Sequence, residues 1–359
     1  MWERAPLRLR AMYERFGYAK YRMSRFEAYD IYRENKEFLR GEGIVTFTDA
    51  SGRLMALKPD VTMSIVKNIA KDTPPQKLYY NESVFRTEQG ELREINQMGL
   101  EYIGGGEGYA DAEVIALAVD TLAVIADEYT LDISHMGYIS AMLMNLGLNG
   151  DSGEAVLSAL RQKNPGELRA LAKEFELSEQ GTAALLTVEH LRGELGALLE
   201  SGQLPVLNEG MNDALTELQG LYRTLSAVGK RVSLDFSVIN DLDYYNGLVF
   251  RGYIRSAPRS VLAGGRYDKL MLRFGKPMTA IGFALYLTSL DRVFRAPKDY
   301  DVDTILIYGD APPERVAVVV REIIAEGCTV RADRTMPAEI RARRVLELDG
   351  DSIREVRDA

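Results

Sequence analysis

The chain has 359 residues, 46% of them hydrophobic and 27% charged, which suffices for one large domain with one or two smaller ones. A net charge of −9 and a pI of about 5.1 argue against broad nucleic-acid binding, since phosphate recognition leaves a basic footprint. With one cysteine and two histidines, His135 and His190, an intrachain disulfide is excluded and neither a zinc site nor a His-dependent catalytic set has support.

No apolar run approaches the roughly 20 residues of a membrane span. Met1-Trp2-Glu3-Arg4 opens an amphipathic helix rather than a signal peptide, so a cytoplasmic location is expected. Leu7, Leu9, Met12, Tyr13 and Phe16 recur at close to helical period and stop at Gly17. The segment from Phe26 to Leu39 fits strand and helix alike. Residues 44–49 and 54–57, joined across Gly52, predict a β-hairpin, which Lys58-Pro59-Asp60 terminates. A helix then runs from Thr62 to Lys71, capped by Asp60 or Thr62.

Residues 77–86 and 93–104 predict two strands joined at Glu88-Gln89-Gly90-Glu91. Alternation puts Asn96, Met98 and Leu100 on one face and Gln97, Gly99 and Glu101 on the other. A Gln-Gly-Glu face in a central hairpin suits a small polar ligand, or a solvated edge. Gly104 to Gly108 precedes an apolar helix from Asp111 to Ala126 and lacks the spacing of a dinucleotide fingerprint. Residues 140–228 turn rich in Leu, Ala, Glu and Gln, divided by Pro165 and Pro205, and predict a helical insertion.

Strands resume at Lys230. Leu248-Val249-Phe250, the turn Ala263-Gly264-Gly265-Arg266-Tyr267-Asp268 and the segment Ala280-Ile281-Gly282-Phe283-Ala284 follow in the order of a ligand-bearing antiparallel sheet. After a linker at Ala296-Pro297-Lys298, residues 302–332 predict one βαβ unit and residues 344–348 one further strand. Cys328, among apolar neighbours, is expected to be buried.

Taken together these segments resemble the class II aminoacyl-tRNA synthetase core, in its histidyl-tRNA synthetase branch. The resemblance rests on Leu57-Lys58-Pro59-Asp60-Val61-Thr62, on Val84-Phe85-Arg86-Thr87-Glu88 through Glu101, and on Leu242-Asp243-Tyr244-Tyr245 with the 263–268 turn. It implies an antiparallel sheet flanked by helices over residues 1–139 and 229–296, a helical insertion over 140–228 and a small α/β unit over 300–359. It also implies a histidine pocket built from Asp60, Thr62, Gln97, Glu101, Tyr245 and Tyr267. A carboxylate there pairs with the α-ammonium, and Glu101 accepts from an imidazole N–H.

The positions matching the branch's ATP machinery differ. Arg86 is retained, but Glu91, Asn240 and Ser289 stand where the branch carries arginines, so a phosphate site would be degenerate. Removing one positioned donor to developing charge costs about 10²–10³ in rate. The chain is therefore similar to the ATP phosphoribosyltransferase regulatory subunits, the paralogues of that synthetase. That resemblance implies no catalysis of its own, no cofactor or metal and no tRNA. The partners it implies are the short-form catalytic ATP phosphoribosyltransferase subunit, L-histidine as effector, and a second copy as a core homodimer. The alternatives are a working histidyl-tRNA synthetase and a diverged amino-acid-binding module.

Overall fold

The period-2 stretches of the sequence come together in a sheet of ten strands. The computed structural model describes residues 4–34, 43–71, 73–88, 90–239, 245–294, 300–350 and 352–356. The chain divides into two compact units, Met1–Phe294 and Arg295–Ala359. The expected linker at Ala296-Pro297-Lys298 lies outside the described residues.

In the first unit the strands run in the order Ala19–Lys20, Gln76–Glu88, Glu91–Ile103, Ala280–Tyr286, Leu262–Arg266, Leu248–Ile254, Tyr129–His135, Ser233–Asp235 and Arg192–Glu194. Gly43–Ile44 pairs with Gln76–Glu88 off this path. From Gln76–Glu88 to Tyr129–His135 every pairing is antiparallel, as the resemblance implies. The two flanking pairs, Ala19–Lys20 with Gln76–Glu88 and Ser233–Asp235 with Tyr129–His135, are parallel.

Alternation sorts the sheet into two faces. Met98, Leu100, Ile133, Phe250 and Phe283 face the helices Arg4–Arg15 and Tyr109–Ile125 in one apolar cluster. On the opposite face Tyr80 and Ala280 join a second cluster with Val61 and Ile65 of the helix Val61–Asn68 and with Leu270 and Met271 of the helix Asp268–Arg273. Gln97 and Glu101 belong to this second face and are buried, at 4% and 1% exposure, so it is not a solvated edge. The ambiguous segment after residue 25 forms a strand, Phe26–Ala28, and a short helix, Asp30–Glu34. The strand pairs with Leu54–Leu57, which closes the expected hairpin with Thr46–Thr48.

The helix-rich stretch comprises Met136–Asn145, Gly150–Arg161, Pro165–Glu174, Glu179–His190, Leu195–Glu200 and Glu209–Ala227. Pro165 opens a helix, where its missing N–H costs nothing, behind the cap Asn164. Pro205 lies between helices and its carbonyl accepts from Tyr138 Oη at 2.6 Å. The buried Leu157, Leu185 and Leu218 belong to the same cluster as Leu100 and Phe250, so this stretch shares one core with the sheet. The strand Arg192–Glu194 was not expected. It forms because the edge strand Ser233–Asp235 offers backbone donors and acceptors, and antiparallel pairing with it satisfies both chains.

The second unit is a four-stranded sheet in the order Val330–Asp333, Val302–Ile307, Ala342–Asp349, Ser352–Val356. The first three strands are parallel, and the helix Pro313–Ala325 lays Val319 and Ile323 over Leu306, Leu346 and Leu348. The last strand, antiparallel and exposed throughout, is one more than the sequence suggested. Cys328 is half-buried rather than enclosed, with an Arg344 guanidinium nitrogen 4.0 Å from its sulfur.

Candidate ligand-binding site

Glu101 is the centre of the sheet's second face. Its neighbours across the ladder are Gly282 and then Gly265, so small residues floor the site. A Cβ on Gly282 would lie 1.7 Å from Glu101 Oε2, so the carboxyl rests directly on that backbone. A Cβ on Gly265 would lie 2.6 Å from Tyr245 Cδ1, so the Tyr245 ring is laid on the next strand in the same way. Two hydroxyls hold the carboxyl: Thr62 Oγ1 donates to Oε1 at 2.8 Å and Tyr267 Oη donates to Oε2 at 2.7 Å. Burial, with the nearby Asp60 charge adding to it, pushes the Glu101 carboxyl up to about 8 against the lowering effect of those two donors.

Asp60 serves two neighbours. Oδ1 accepts the Met63 N–H at 2.7 Å as the N-cap of the helix Val61–Asn68, and this turn presents Thr62 to Glu101. Oδ2 lies 3.7 Å from an Arg86 nitrogen, while Arg86 Nε donates to the Pro59 carbonyl at 2.8 Å. At the other end of this helix the buried Lys276 ammonium donates to the Val66 carbonyl, and to the Lys67 carbonyl at 2.9 Å, where the helix dipole favours a cation. Tyr245, close enough to feel the Glu101 and Asp60 charges, has its phenol pushed well up by burial. Gln97 lies on the same face, between Glu82 and Tyr286 across the ladder. Asp60, Thr62, Glu101, Tyr245 and Tyr267 are thus brought together, with Gln97 further along the same strand.

Of the positions compared with the phosphate machinery, Glu91 is exposed and accepts from Arg93 at 2.7 Å. Ser289 is exposed on the helix Leu287–Phe294. Asn240, with Asp243 and Tyr244, lies outside the described residues. Sequence reasoning assigned no role to Arg266, Asp268, Asn246 or Asp111. Arg266 is buried and pairs with Asp111 and, at 3.4 Å, with Asp268. Their signal was the pair of charged residues flanking Tyr267 between two apolar strands. His135 Nδ1 accepts the Tyr138 N–H at 3.2 Å, which leaves the ring proton on Nε2, 3.0 Å from Glu217. No group of metal-ligating residues occurs among the described residues.

The chain as a whole has relatives. The family model for histidyl-tRNA synthetase matches residues 2–290. An ATP phosphoribosyltransferase regulatory subunit from Desulforamulus reducens is 31% identical over 335 residues, 88% of this chain and 82% of the relative. The chain belongs to the ATP phosphoribosyltransferase regulatory subunits, within the histidyl-tRNA synthetase family. Among solved structures, an ATP phosphoribosyltransferase regulatory subunit/histidyl-tRNA synthetase from Bacillus halodurans superimposes with a TM-score of 0.74 at 28% identity, covering 92% of this chain and 88% of that one. A chain of the ATP phosphoribosyl transferase (HisG:HisZ) complex from Thermotoga maritima, at 19% identity, shares the fold with a TM-score of 0.64, over 80% of this chain and 97% of that one. No described helix is long and apolar enough to cross a membrane.

Proposed function

We propose that this regulatory subunit assembles with a short-form catalytic ATP phosphoribosyltransferase, binds L-histidine at Glu101, and so makes the first step of histidine biosynthesis responsive to its end product. The observation that carries the reading is the buried Glu101 carboxyl, held by two neutral hydroxyls over a glycine floor. A carboxyl with no fixed cation against it among the described residues is matched to a ligand N–H or ammonium. In this reading Asp60 meets the α-ammonium, Thr62 and Gln97 supply polar contacts, Glu101 takes the imidazole, and Tyr245 and Tyr267 enclose it. Histidine alters turnover by binding one state of the complex better than the other.

In this reading the subunit performs no adenylation, because Glu91 repels phosphate, Asn240 and Ser289 supply no cation and Arg86 already contacts Pro59 and Asp60, and it takes no tRNA. It acts in the cytoplasm as a core homodimer joined through its N-terminal elements. The test is co-purification with a short-form catalytic subunit, then turnover with and without histidine. Stable association and histidine-dependent turnover are expected. Absence of association would overturn the reading, as would histidine-dependent pyrophosphate exchange at a synthetase's rate.

A further inference from the structure

We propose that Asn246 and Asp268 form a clasp that positions the phenols of Tyr245 and Tyr267 at Glu101. Each clasp residue follows one of the two tyrosines directly in the chain, and the two pair at both ends of the amide. Asn246 Nδ2 donates to Asp268 Oδ2 at 3.2 Å, and Asn246 Oδ1 accepts the Asp268 N–H at 3.0 Å. The Asn246 N–H donates to the Arg266 carbonyl at 3.2 Å, so the two turns are joined on both sides of Tyr267.

The clasp is anchored to the strand beneath the ligand face. Asp268 Oδ1 accepts the Ala280 N–H at 2.7 Å, and the Tyr267 N–H donates to the Ala280 carbonyl at 2.8 Å. Ala280 begins the strand that carries Gly282 under Glu101. Arg266 closes the arrangement from below. Its guanidinium bridges Asp268 and the buried Asp111, and a Cβ on Gly247 would lie 2.9 Å from its Cδ. A tyrosine has two side-chain torsions confined to a few wells, so once packing has selected the well, the backbone that the clasp holds sets where the phenol tip lies. Donation from Tyr267 Oη at 2.7 Å tolerates only a few tenths of an ångström before it weakens. The Asp268 side chain is 18% exposed, so the clasp lies near solvent, while the two tyrosines it positions pack into the apolar clusters.

The proposal rests on the histidine reading only for its affinity measurement. The first readout is the ionisation of Glu101 in the ligand-free protein, followed by carbon-13 NMR of its carboxyl. Because the Tyr267 hydroxyl holds the Glu101 midpoint down, Tyr267→Phe is expected to raise it. Asn246→Ala is expected to raise it in the same direction. The exchange Asn246→Asp with Asp268→Asn, which restores an amide–carboxylate pair in reverse, is expected to return it toward wild type. Histidine affinity by calorimetry is expected to fall about tenfold in Asn246→Ala and to recover in the exchange, the scale of a lost hydrogen bond.

If Asn246→Ala does not fold, Asn246→Asp takes its place, since it keeps the acceptor and sets a second carboxylate against Asp268. A Glu101 midpoint that moves in Tyr267→Phe but in neither Asn246 variant would overturn the clasp. If the midpoints move as expected and the wild type gives no heat with histidine, the clasp stands and the histidine reading falls.

Discussion

Thr62 and Glu101 stand 39 residues apart in the chain and meet hydroxyl to carboxyl at 2.8 Å. With Tyr267 on the other oxygen, the carboxyl has two neutral donors in place of a salt bridge. Its ionisation is therefore governed by burial, and the consequences can be measured with and without ligand.

Stability should fall as the pH rises through the Glu101 titration. The folded carboxyl titrates at about 8 against an ordinary 4.5, so between those values the folded chain holds a proton that the unfolded chain has released. The contribution is complete below about pH 4.5 and is lost as the pH passes through 8. Glu101→Gln, which keeps a neutral polar group, is expected to flatten this part of the profile. Its stability gain over wild type above pH 8 should be on the order of a few kcal/mol. Urea denaturation between pH 5 and 9 measures it, and equal slopes for both proteins would contradict the assignment.

Histidine binding should release close to one proton well below pH 8, and progressively less as the pH approaches 8. A ligand N–H or cation at the carboxyl favours its charged form, so binding and ionisation are linked. Calorimetry in buffers of different ionisation enthalpy reads the number directly. Glu101→Gln is expected to abolish the release and weaken binding at least tenfold.

Asp60 separates capping from ligand contact. Asp60→Asn retains an oxygen for the Met63 N–H and loses the charge, whereas Asp60→Ala loses both. The alanine variant is expected to cost about 0.5–2 kcal/mol of stability and the asparagine variant little. Both should weaken histidine binding. An asparagine variant that binds as tightly as wild type would remove Asp60 from the proposed pocket.

Gly282→Ala tests the floor. Its Cβ would meet Glu101 Oε2 at 1.7 Å and the Leu100 carbonyl at 2.5 Å, and the second of these is backbone that cannot swing aside. The expected cost is about 1–3 kcal/mol, with Glu101 displaced from Thr62 and Tyr267. A denaturation midpoint like that of wild type, with histidine affinity intact, would show that the carboxyl does not rest there.

Much of this was readable from the chain because alternation and turn chemistry carry it. The 97–99–101 face and the Asp60 cap follow from residue types at fixed spacing. Residues 263–266, expected as part of a glycine turn, lie instead in the central strand Leu262–Arg266, where the glycines admit the close approach of Tyr245 and Phe283. The strand Arg192–Glu194 was not readable either, since Arg-Gly-Glu has no strand preference and pairs only because an edge is waiting. The Ser352–Val356 strand escaped because, exposed throughout, it carries no alternation of apolar and polar residues to read. Within the site, the contacts of Thr62 and Tyr267 with Glu101 join residues remote in the chain. The resemblance named those residues but could not give their mutual geometry. The clasp was hidden because Asn246 and Asp268 have no periodic signature.

The strand Arg192–Glu194 makes the helix-rich stretch hard to transplant. The chain leaves the sheet at His135, touches its margin again at residues 192–194, and returns for good at 233–235. A deletion from 140 to 228 would therefore strip a strand from the margin and empty part of the common core. Even the short connection between Glu174 and Glu179 is not spare, because Phe175 and Leu177 pack against the common core and Ser178 caps the helix that follows.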